Sequence, residues 1–287
     1  MHSIEIPYNK IKLDFPGNIA ECTTSEYIDF ARLNYDYSLG EINFQELKVQ
    51  LLYKLLNLKR KADMSKKSNA VVAENIFRIG ELLNSFYKTT RQDGKTFKEV
   101  DLSCITNKIR FFNHGDELVY GPTAALANTV FAQYLAANDS FHDYTATRQE
   151  EYLDLLVAQL YWPKGKKYDP EAIESRAELM SNVDTGIKYG TYLFYAACQK
   201  WMATQNALPI GGGKTVDLTV LFSQKTGETT ATPGIGMLGT LYDLAETGVF
   251  GDIHATGKQN TYDILVYLVN KHHEAEKLKR DAKNKRP

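Results

Sequence analysis

The segment 209–215, PIGGGKT, contains the residue types that bind phosphate, with three glycines followed by lysine and threonine. A P-loop needs a glycine, four further residues and then Gly-Lys-Ser/Thr, because the first glycine lets backbone amides face the phosphate. Gly213, Lys214 and Thr215 match the end of this pattern, but Leu208 stands where the first glycine belongs. The segment also follows a helical pattern and precedes the β-branched run VDLTVLF, whereas a P-loop follows a strand and opens a helix. We therefore expect a mobile glycine-rich connection that does not bind a nucleotide.

Histidine, cysteine and carboxylate residues do not form a catalytic or metal-binding motif. His272 and His273 are adjacent, so on a helix their side chains point about 100° apart and cannot bind one metal as a pair at i and i+4 does. Cys104 belongs to no reactive-thiol motif, and the sequence has no HExxH, GxSxG or EF-hand pattern. A glycosidase-type pair of carboxylates stays open, because the sequence does not show which carboxylates are buried. We expect no catalytic residue, no cofactor and no bound metal.

The overall charge is close to neutral. The 34 Lys and Arg residues against 35 Asp and Glu residues leave a formal net charge of -1, which gives no general attraction for nucleic acid or an anionic membrane. The stretch 271–286 carries seven basic and three acidic residues, and we interpret it as a solvated helix end with cations at the negative end of the dipole. The longest apolar stretch, TYLFYAACQKWM, is too short to cross a bilayer, which takes about 20 residues. Three widely spaced cysteines and an N-terminus without a signal-peptide pattern favour the cytoplasm.

Helical patterns dominate the first part of the chain. Thr23 with Glu26, and Asn43 with Glu46, form capping-box patterns that predict the starts of two helices. Apolar residues at three- and four-residue spacing mark one face of the second of these helices: Phe44, Leu47, Leu51, Leu52, Leu55 and Leu58. A third helix is predicted from a narrow apolar seam: Val72, Ile76, Ile79, Leu83 and Phe86.

The second part of the chain is predicted to be helical as well. Thr147 with Glu150 indicates a capping box before EEYLDLLVAQLYW, and Asp169 before Pro170 indicates another helix start. Two more helices are predicted towards the end, one after Thr232 and Pro233 that Gly248 closes, and one from about Asn260.

Two short regions predict β-hairpins. The first has a Pro-Tyr-Asn turn between the segments SIEI and KIKLDF. The second has Asn-His-Gly between VDLSCITNKIRFF and DELVYG. We expect the two hairpins to pair into one small antiparallel sheet, and TTRQDGKT to form only turns. The predicted fold class is mainly α (α+β), with about eight helices and two small β-hairpins.

We expect residues 1–287 to form a single globular unit. The alternative is a division before Pro122, which separates hairpins and amphipathic helices in 1–121 from a helical part in 122–287. That second part contains the glycine-rich loop at 209–232.

Several phrases of the sequence are similar to those of other proteins: SEYIDFARLNYDYSLGEINFQELKVQLLYKLLNLKR, FAQYLAANDSF, EEYLDLLVAQLYWP and GMLGTLYDLAETGVFGDI. Together they resemble uncharacterised tail-module proteins of Bacteroidetes phages and prophages, of the kind encoded near the tape-measure protein. The resemblance covers about half of the chain, and it rests on helix-face patterns and not on catalytic motifs.

This resemblance implies a non-enzymatic role in virion morphogenesis through protein–protein contacts. A tail assembly chaperone in the host cytoplasm, which keeps the tape-measure protein soluble until the tube forms around it, is the first interpretation. A structural component of the tail or head–tail connector, present in the virion, is the alternative, and a nucleotide- or nucleic-acid-binding protein is the second. The expected partners are tail proteins such as the tape-measure or tube protein. The apolar residues expected to contact them are Met237, Leu238, Leu241, Tyr242, Val249 and Phe250.

Overall fold

The computed structural model describes residues 1–6, 11–59, 66–92, 94–222 and 236–284. Along these residues the chain is mainly α with small antiparallel sheets, which confirms the predicted fold class. The α-helices are α1 (Thr24–Ser38), α2 (Phe44–Leu55), α3 (Lys66–Gly80), α4 (Phe131–Thr147), α5 (Glu151–Leu160), α6 (Ile173–Met180), α7 (Thr185–Thr204), α8 (Thr219–Phe222), α9 (Gly236–Glu246), α10 (Ile253–Gly257) and α11 (Thr261–Asn284). The strands are β1 (His2–Ile6), β2 (Ile11–Phe15), β3 (Tyr87–Gln92), β4 (Lys95–Val100), β5 (Phe111–His114), β6 (Glu117–Tyr120), β7 (Trp162–Pro163), β8 (Leu208–Gly211) and β9 (Lys214–Val216).

The chain divides into two compact units, each made of two segments. The first unit consists of Met1–Ile109 and Asn182–Phe194, and the second of Arg110–Ser181 and Tyr195–Pro287. The residues of α7 are therefore divided between the units. The first boundary lies at Ile109, upstream of the division before Pro122 that the sequence offers.

Local capping determines where the first two helices of the first unit begin. The Thr23 side chain accepts a hydrogen bond from the Glu26 backbone N–H, and the Glu26 carboxylate accepts one from the Thr23 N–H at 2.7 Å. Asn43 and Glu46 form the same reciprocal pair. Both predicted capping boxes are confirmed, because each satisfies otherwise unpaired amides within four residues of chain.

A second hairpin in the first unit, after β1–β2, was not expected from the sequence. After α3, the chain forms a 3-10 helix at Glu81–Phe86 and then the antiparallel pair β3–β4. TTRQDGKT thus forms strand ends as well as a turn, because Gly94 adopts a φ of 74° and the flanking threonines favour extended backbone. Leu83 and Phe86 of the predicted seam are fully buried, but in the 3-10 helix and not in α3.

The sheet of the second unit differs from the expected one. β5 and β6 form the predicted hairpin, but β6 pairs on its other edge with β7, whereas β1 and β2 form a separate two-stranded sheet. β7 follows α5 directly, and Pro163 holds the preceding residue, Trp162, in extended conformation. The expectation that the two hairpins pair with each other was wrong.

The start of α5 also differs from the expected one. Thr147 is the last residue of α4, and Arg148 ends that helix with a left-handed φ of 61°. Glu150 is itself the N-cap of α5 and makes no side-chain capping bond, so the predicted capping box was wrong. The Asp169 cap is confirmed, since its side chain accepts from the Glu171 N–H at 3.1 Å.

The glycine-rich segment forms a tight hairpin, β8–β9, and not the mobile connection that the sequence suggested. Gly211, Gly212 and Gly213 have φ values of 90°, 58° and 73°, a left-handed conformation that other residues adopt only with strain. Their conformation explains the three consecutive glycines without a phosphate. The rest of the predicted loop, from 223 to 232, and the helix start at Thr232 and Pro233 lie outside the described residues.

Candidate functional site

The second unit contains an open cavity of about 830 Å³, which lies within the size range of ligand sites. Residues of α4, the end of α5, β6, β7, the segment after β7, α9 and α10 line it. Its apolar lining includes Val130, Ala132, Leu135, Ala136, Leu160 and Leu241. Leu135, Leu160 and Leu241 are buried, so this part of the wall is fixed by the packing of the helices that carry it.

Three aromatic residues lie side by side across the outer face of the three-stranded sheet. Phe111 is the cross-strand partner of Tyr120, and Tyr120 is the partner of Trp162. Residues directly opposite each other project on the same face, while their neighbours Phe112 and Val119 are buried on the other. We call Phe111, Tyr120 and Trp162 the aromatic row. Tyr120 and Trp162 line the cavity, and Phe111 extends the apolar surface beyond it, with ring centres of Phe111 and Tyr120 5.9 Å apart.

The indole of Trp162 is held by its neighbours. Its Nε1 donates to the Gln159 carbonyl at 2.8 Å, and the Arg176 guanidinium lies 4.5 Å from its ring centre. Arg176 in turn donates to the Tyr161 carbonyl at 2.7 Å. The ring of Tyr168 meets the indole edge-on, with centres 5.7 Å apart, and burial raises the pKa of Tyr168 to about 12. The aromatic wall is therefore positioned before any ligand binds.

A turn after β7 places three lysines at the cavity. The Lys166 N–H donates to the Pro163 carbonyl at 3.0 Å, and Gly165 has a φ of 80°, as in a type II turn. Lys164, Lys166 and Lys167 are exposed residues that line the cavity.

A fourth lysine, Lys258, reaches the cavity from the end of α10. Gly257 lets this helix approach α4 closely, since a Cβ atom at Gly257 would lie 3.1 Å from the Cβ of Ala132. The Asp252 side chain caps α10 by accepting from the Ala255 N–H at 2.8 Å. We call Lys164, Lys166, Lys167 and Lys258 the rim lysines.

The charge of the cavity wall is strongly positive. The lining contains the four rim lysines and one carboxylate, that of Asp139. Burial and then the neighbouring Asp143 raise the pKa of Asp139, against an opposing effect of His142. Within the described part of the chain, none of the rim ammonium groups forms an ion pair or a hydrogen bond to a carboxylate. By contrast, two polar side chains of the wall bond internally, Thr129 to the Leu126 carbonyl and Gln133 to the Gln159 carbonyl. Among the described residues, the ammonium groups are therefore exposed charges of the lining that can pair with a ligand.

The residues predicted to contact a partner differ in their exposure. Leu241 is buried and lines the cavity, whereas Tyr242 and Val249 are 55% and 57% exposed and are not part of its lining. Phe250 is half-buried, and its ring packs edge-on against Tyr267 at 5.2 Å. Met237 and Leu238 belong to α9, but their side chains lie outside the described part of the structure. The prediction of a partner surface at these six residues remains a prediction.

Sequence reasoning missed the residues that form most of the cavity wall. The signal was present in the segment 161–168, YWPKGKKY, where three lysines lie between aromatic residues. Its partners, Tyr120 and Lys258, come from distant parts of the chain, so the sequence alone did not show that these residues line one cavity.

Other candidate sites offer less. Lys214 is exposed on the β8–β9 hairpin, and the rings of His272 and His273 lie 5.9 Å apart on α11. Burial raises the pKa of the Cys22 thiol to about 12, so this cysteine is protonated near neutral pH. Among the residues that the structure describes, no group of three or more His, Cys, Asp or Glu side chains is placed to hold a metal ion. No helix in the described ranges has the length and apolarity to span a membrane.

Comparison with protein-family models, with curated proteins and with solved structures gave no significant match to this chain.

Proposed function

We propose that this chain is a non-enzymatic phage morphogenesis protein that acts through protein–protein contacts, as a tail assembly chaperone for the tape-measure or tube protein. The phage assignment rests on the resemblance of its helix-face sequences. The protein-binding assignment rests on one observation, an open apolar cavity that continues into the exposed aromatic row.

The extent of the apolar surface favours a protein segment as the ligand. Phe111 is 55% exposed and Tyr120 is 37% exposed, and both lie on the outer face of the sheet beside the cavity. A molecule confined to the cavity would leave Phe111 in water, whereas an extended or helical segment can cover the cavity and the aromatic row together. Aromatic residues of this kind are enriched where proteins bind each other, because a large ring buries much apolar area with few rotatable bonds.

Coexpression with the tape-measure and tube proteins tests the proposal. We expect one of them to become more soluble and to copurify with this chain, and Tyr120→Ser with Trp162→Ala to reduce the copurified amount. Phe97→Ser in the first unit is the matched control, since Phe97 is a similarly exposed aromatic residue of a strand, at 46% exposure. No copurification and no gain in solubility with either tail protein would exclude the chaperone.

Purified phage particles distinguish the chaperone from the alternative, a structural component of the virion. A chaperone is absent from purified particles, whereas a tail or connector component is present at fixed stoichiometry. Mass spectrometry of purified particles therefore decides between the two roles without any variant.

A further inference from the structure

We infer that the cavity and the aromatic row bind an acidic amphipathic segment of the partner, whose apolar side chains enter the cavity while its carboxylates pair with the rim lysines. This inference rests on the proposed function in one respect, that the ligand is a protein segment. It adds the chemistry by which that segment is recognised.

Positive charge is concentrated at the cavity. The whole chain has a formal net charge of -1, so the concentration of four lysines around one aspartate at the cavity is local and not a consequence of general basicity. Elsewhere in the second unit, Lys271 lies 2.8 Å from Glu274 and Lys279 lies 3.5 Å from Glu276. Within the described residues the rim lysines have no such partner. Charge complementarity then favours a negatively charged ligand.

The cavity wall combines apolar side chains with polar groups that are bonded within the protein. Leu135, Leu160 and Leu241 contribute no hydrogen-bonding side chain, and the wall groups Thr129 and Gln133 bond to backbone carbonyls of the protein. Such a wall suits aliphatic or aromatic side chains of a peptide. It does not suit the edges of nucleic-acid bases, which need unpaired donors and acceptors.

Apolar and charged residues belong to different parts of the lining. The buried leucines and the aromatic row are apolar, whereas the lysines lie on two exposed segments, one after β7 and one at the end of α10. An amphipathic segment has the same arrangement, with one apolar face and charges along its flanks. The lysine stems can also cover the apolar side chains of the bound segment.

The test measures binding of labelled synthetic peptides to the full chain by fluorescence anisotropy. The probe is an amphipathic helical peptide with leucine and phenylalanine on one face and glutamate on the flanks. One control peptide has lysine in place of each glutamate, and a second has serine in place of each apolar residue. A single-stranded oligonucleotide of similar charge is the competing ligand class.

We expect the acidic amphipathic peptide to bind at least tenfold more tightly than each control peptide and than the oligonucleotide, with affinity that falls as salt is added. The triple rim variant carries Lys164→Glu, Lys166→Glu and Lys167→Glu, and it should bind the acidic peptide about tenfold or more weakly than the wild type. The control variant carries Lys277→Glu, Arg280→Glu and Lys283→Glu on α11. It changes the net charge by the same amount as the triple rim variant and should bind the peptide within about twofold of the wild-type affinity. Lys258→Gln, on the other side of the cavity, should weaken binding in the same direction with a single substitution.

Equal binding of the acidic and basic peptides, tighter binding of the oligonucleotide, or full affinity in the triple rim variant and in Lys258→Gln would overturn the inference. The outcome is separable from that of the proposed function. If a tail protein copurifies equally with the wild-type chain and with the triple rim variant, the acidic recognition is wrong and the chaperone role stands. If the acidic peptide binds through the rim lysines but neither tail protein copurifies, the phage role is wrong and the recognition chemistry stands.

Discussion

The two units use the same combination of aromatic rings and lysine in opposite ways. In the first unit, Phe30, Phe86 and Tyr87 are buried together, and the Phe44 ring meets Tyr87 edge-on at 4.9 Å. The Lys48 ammonium lies 5.2 Å from the centre of the Phe44 ring. We call these five residues the buried cluster. In the second unit, Phe111 and Tyr120 of the aromatic row are exposed, Trp162 is half-buried, and the rim lysines line a cavity.

The difference lies in whether the charge is satisfied within the protein. Lys48 is 3% exposed, and its ammonium pairs with Glu81, which satisfies a charge that burial would otherwise make costly. The rim lysines remain hydrated and are available to a ligand. The buried cluster should therefore determine stability and the aromatic row should determine binding, and each of the following predictions tests that separation.

The largest expected effect is on stability, from Phe30→Ala. Phe30 is fully buried, so the substitution leaves a cavity and should lower the free energy of unfolding by about 3–5 kcal/mol. Phe111→Ala, the control in the aromatic row, should change it by no more than about 0.5 kcal/mol. Both tryptophans, Trp162 and Trp201, belong to the second unit, so their fluorescence does not report directly on the unit that contains Phe30. Urea unfolding should therefore be followed by far-UV circular dichroism. Similar losses in the two variants would contradict the separation.

Substitution of Lys48 should have a smaller effect on stability than Phe30→Ala, and substitution of a rim lysine should have almost none. Lys48→Ala removes the packed stem and the bond to Glu81 and should lower the free energy of unfolding by about 2 kcal/mol. Lys48→Met keeps most of the stem, so the difference between the two variants separates packing from charge. Lys166→Ala should leave stability within about 0.5 kcal/mol and weaken only peptide binding. A stability loss in Lys166→Ala equal to that in Lys48→Ala would show that the rim lysines are structural.

The sequence was informative where structure depends on nearby residues. Thr23 with Glu26, and Asn43 with Glu46, form their caps within a single turn, so the starts of α1 and α2 could be predicted. The pattern of Thr147 with Glu150 is equally local, but the left-handed Arg148 ends α4 between them, a backbone change that no residue type in this stretch demands.

The cavity depends on contacts between residues distant in sequence, and for that reason it could not be predicted. Trp162 reaches Tyr120 only because β7 pairs with β6. Lys258 reaches the cavity only because Gly257 lets α10 approach α4 closely. Among the predicted partner residues whose side chains the structure describes, Leu241 lines the cavity and Tyr242, Val249 and Phe250 do not. The spacing of Leu241 on α9 indicated an apolar face, but not what that face would meet.

The smallest expected effects concern two carboxyl groups, Glu81 in the first unit and Asp139 in the second, whose pKa values shift in opposite directions. The hydrogen bond from Lys48, followed by that from Asn84, lowers the pKa of Glu81 below 4.5, whereas burial raises the pKa of Asp139 above 3.8. Glu81 therefore stabilises the folded state at pH values above 4.5, and this contribution is lost as the pH falls through its lowered pKa. Asp139 does the reverse, since the folded state becomes less stable as the pH rises from 3.8 through its raised pKa.

Glu81→Gln should accordingly be less stable than the wild type near neutral pH, and Asp139→Asn should be more stable. Each difference should be less than about 1 kcal/mol, because both carboxyl groups are partly exposed and solvent screens them. Urea unfolding of the three proteins at pH 3 to 7 measures the differences, which should both shrink towards the acidic end. Asp139→Asn should also bind the acidic peptide more tightly, because it removes a negative charge from the cavity lining, whereas Glu81→Gln should bind it as the wild type does. A gain in peptide affinity from Glu81→Gln, or a loss from Asp139→Asn, would contradict the separation of stability in one unit from recognition in the other.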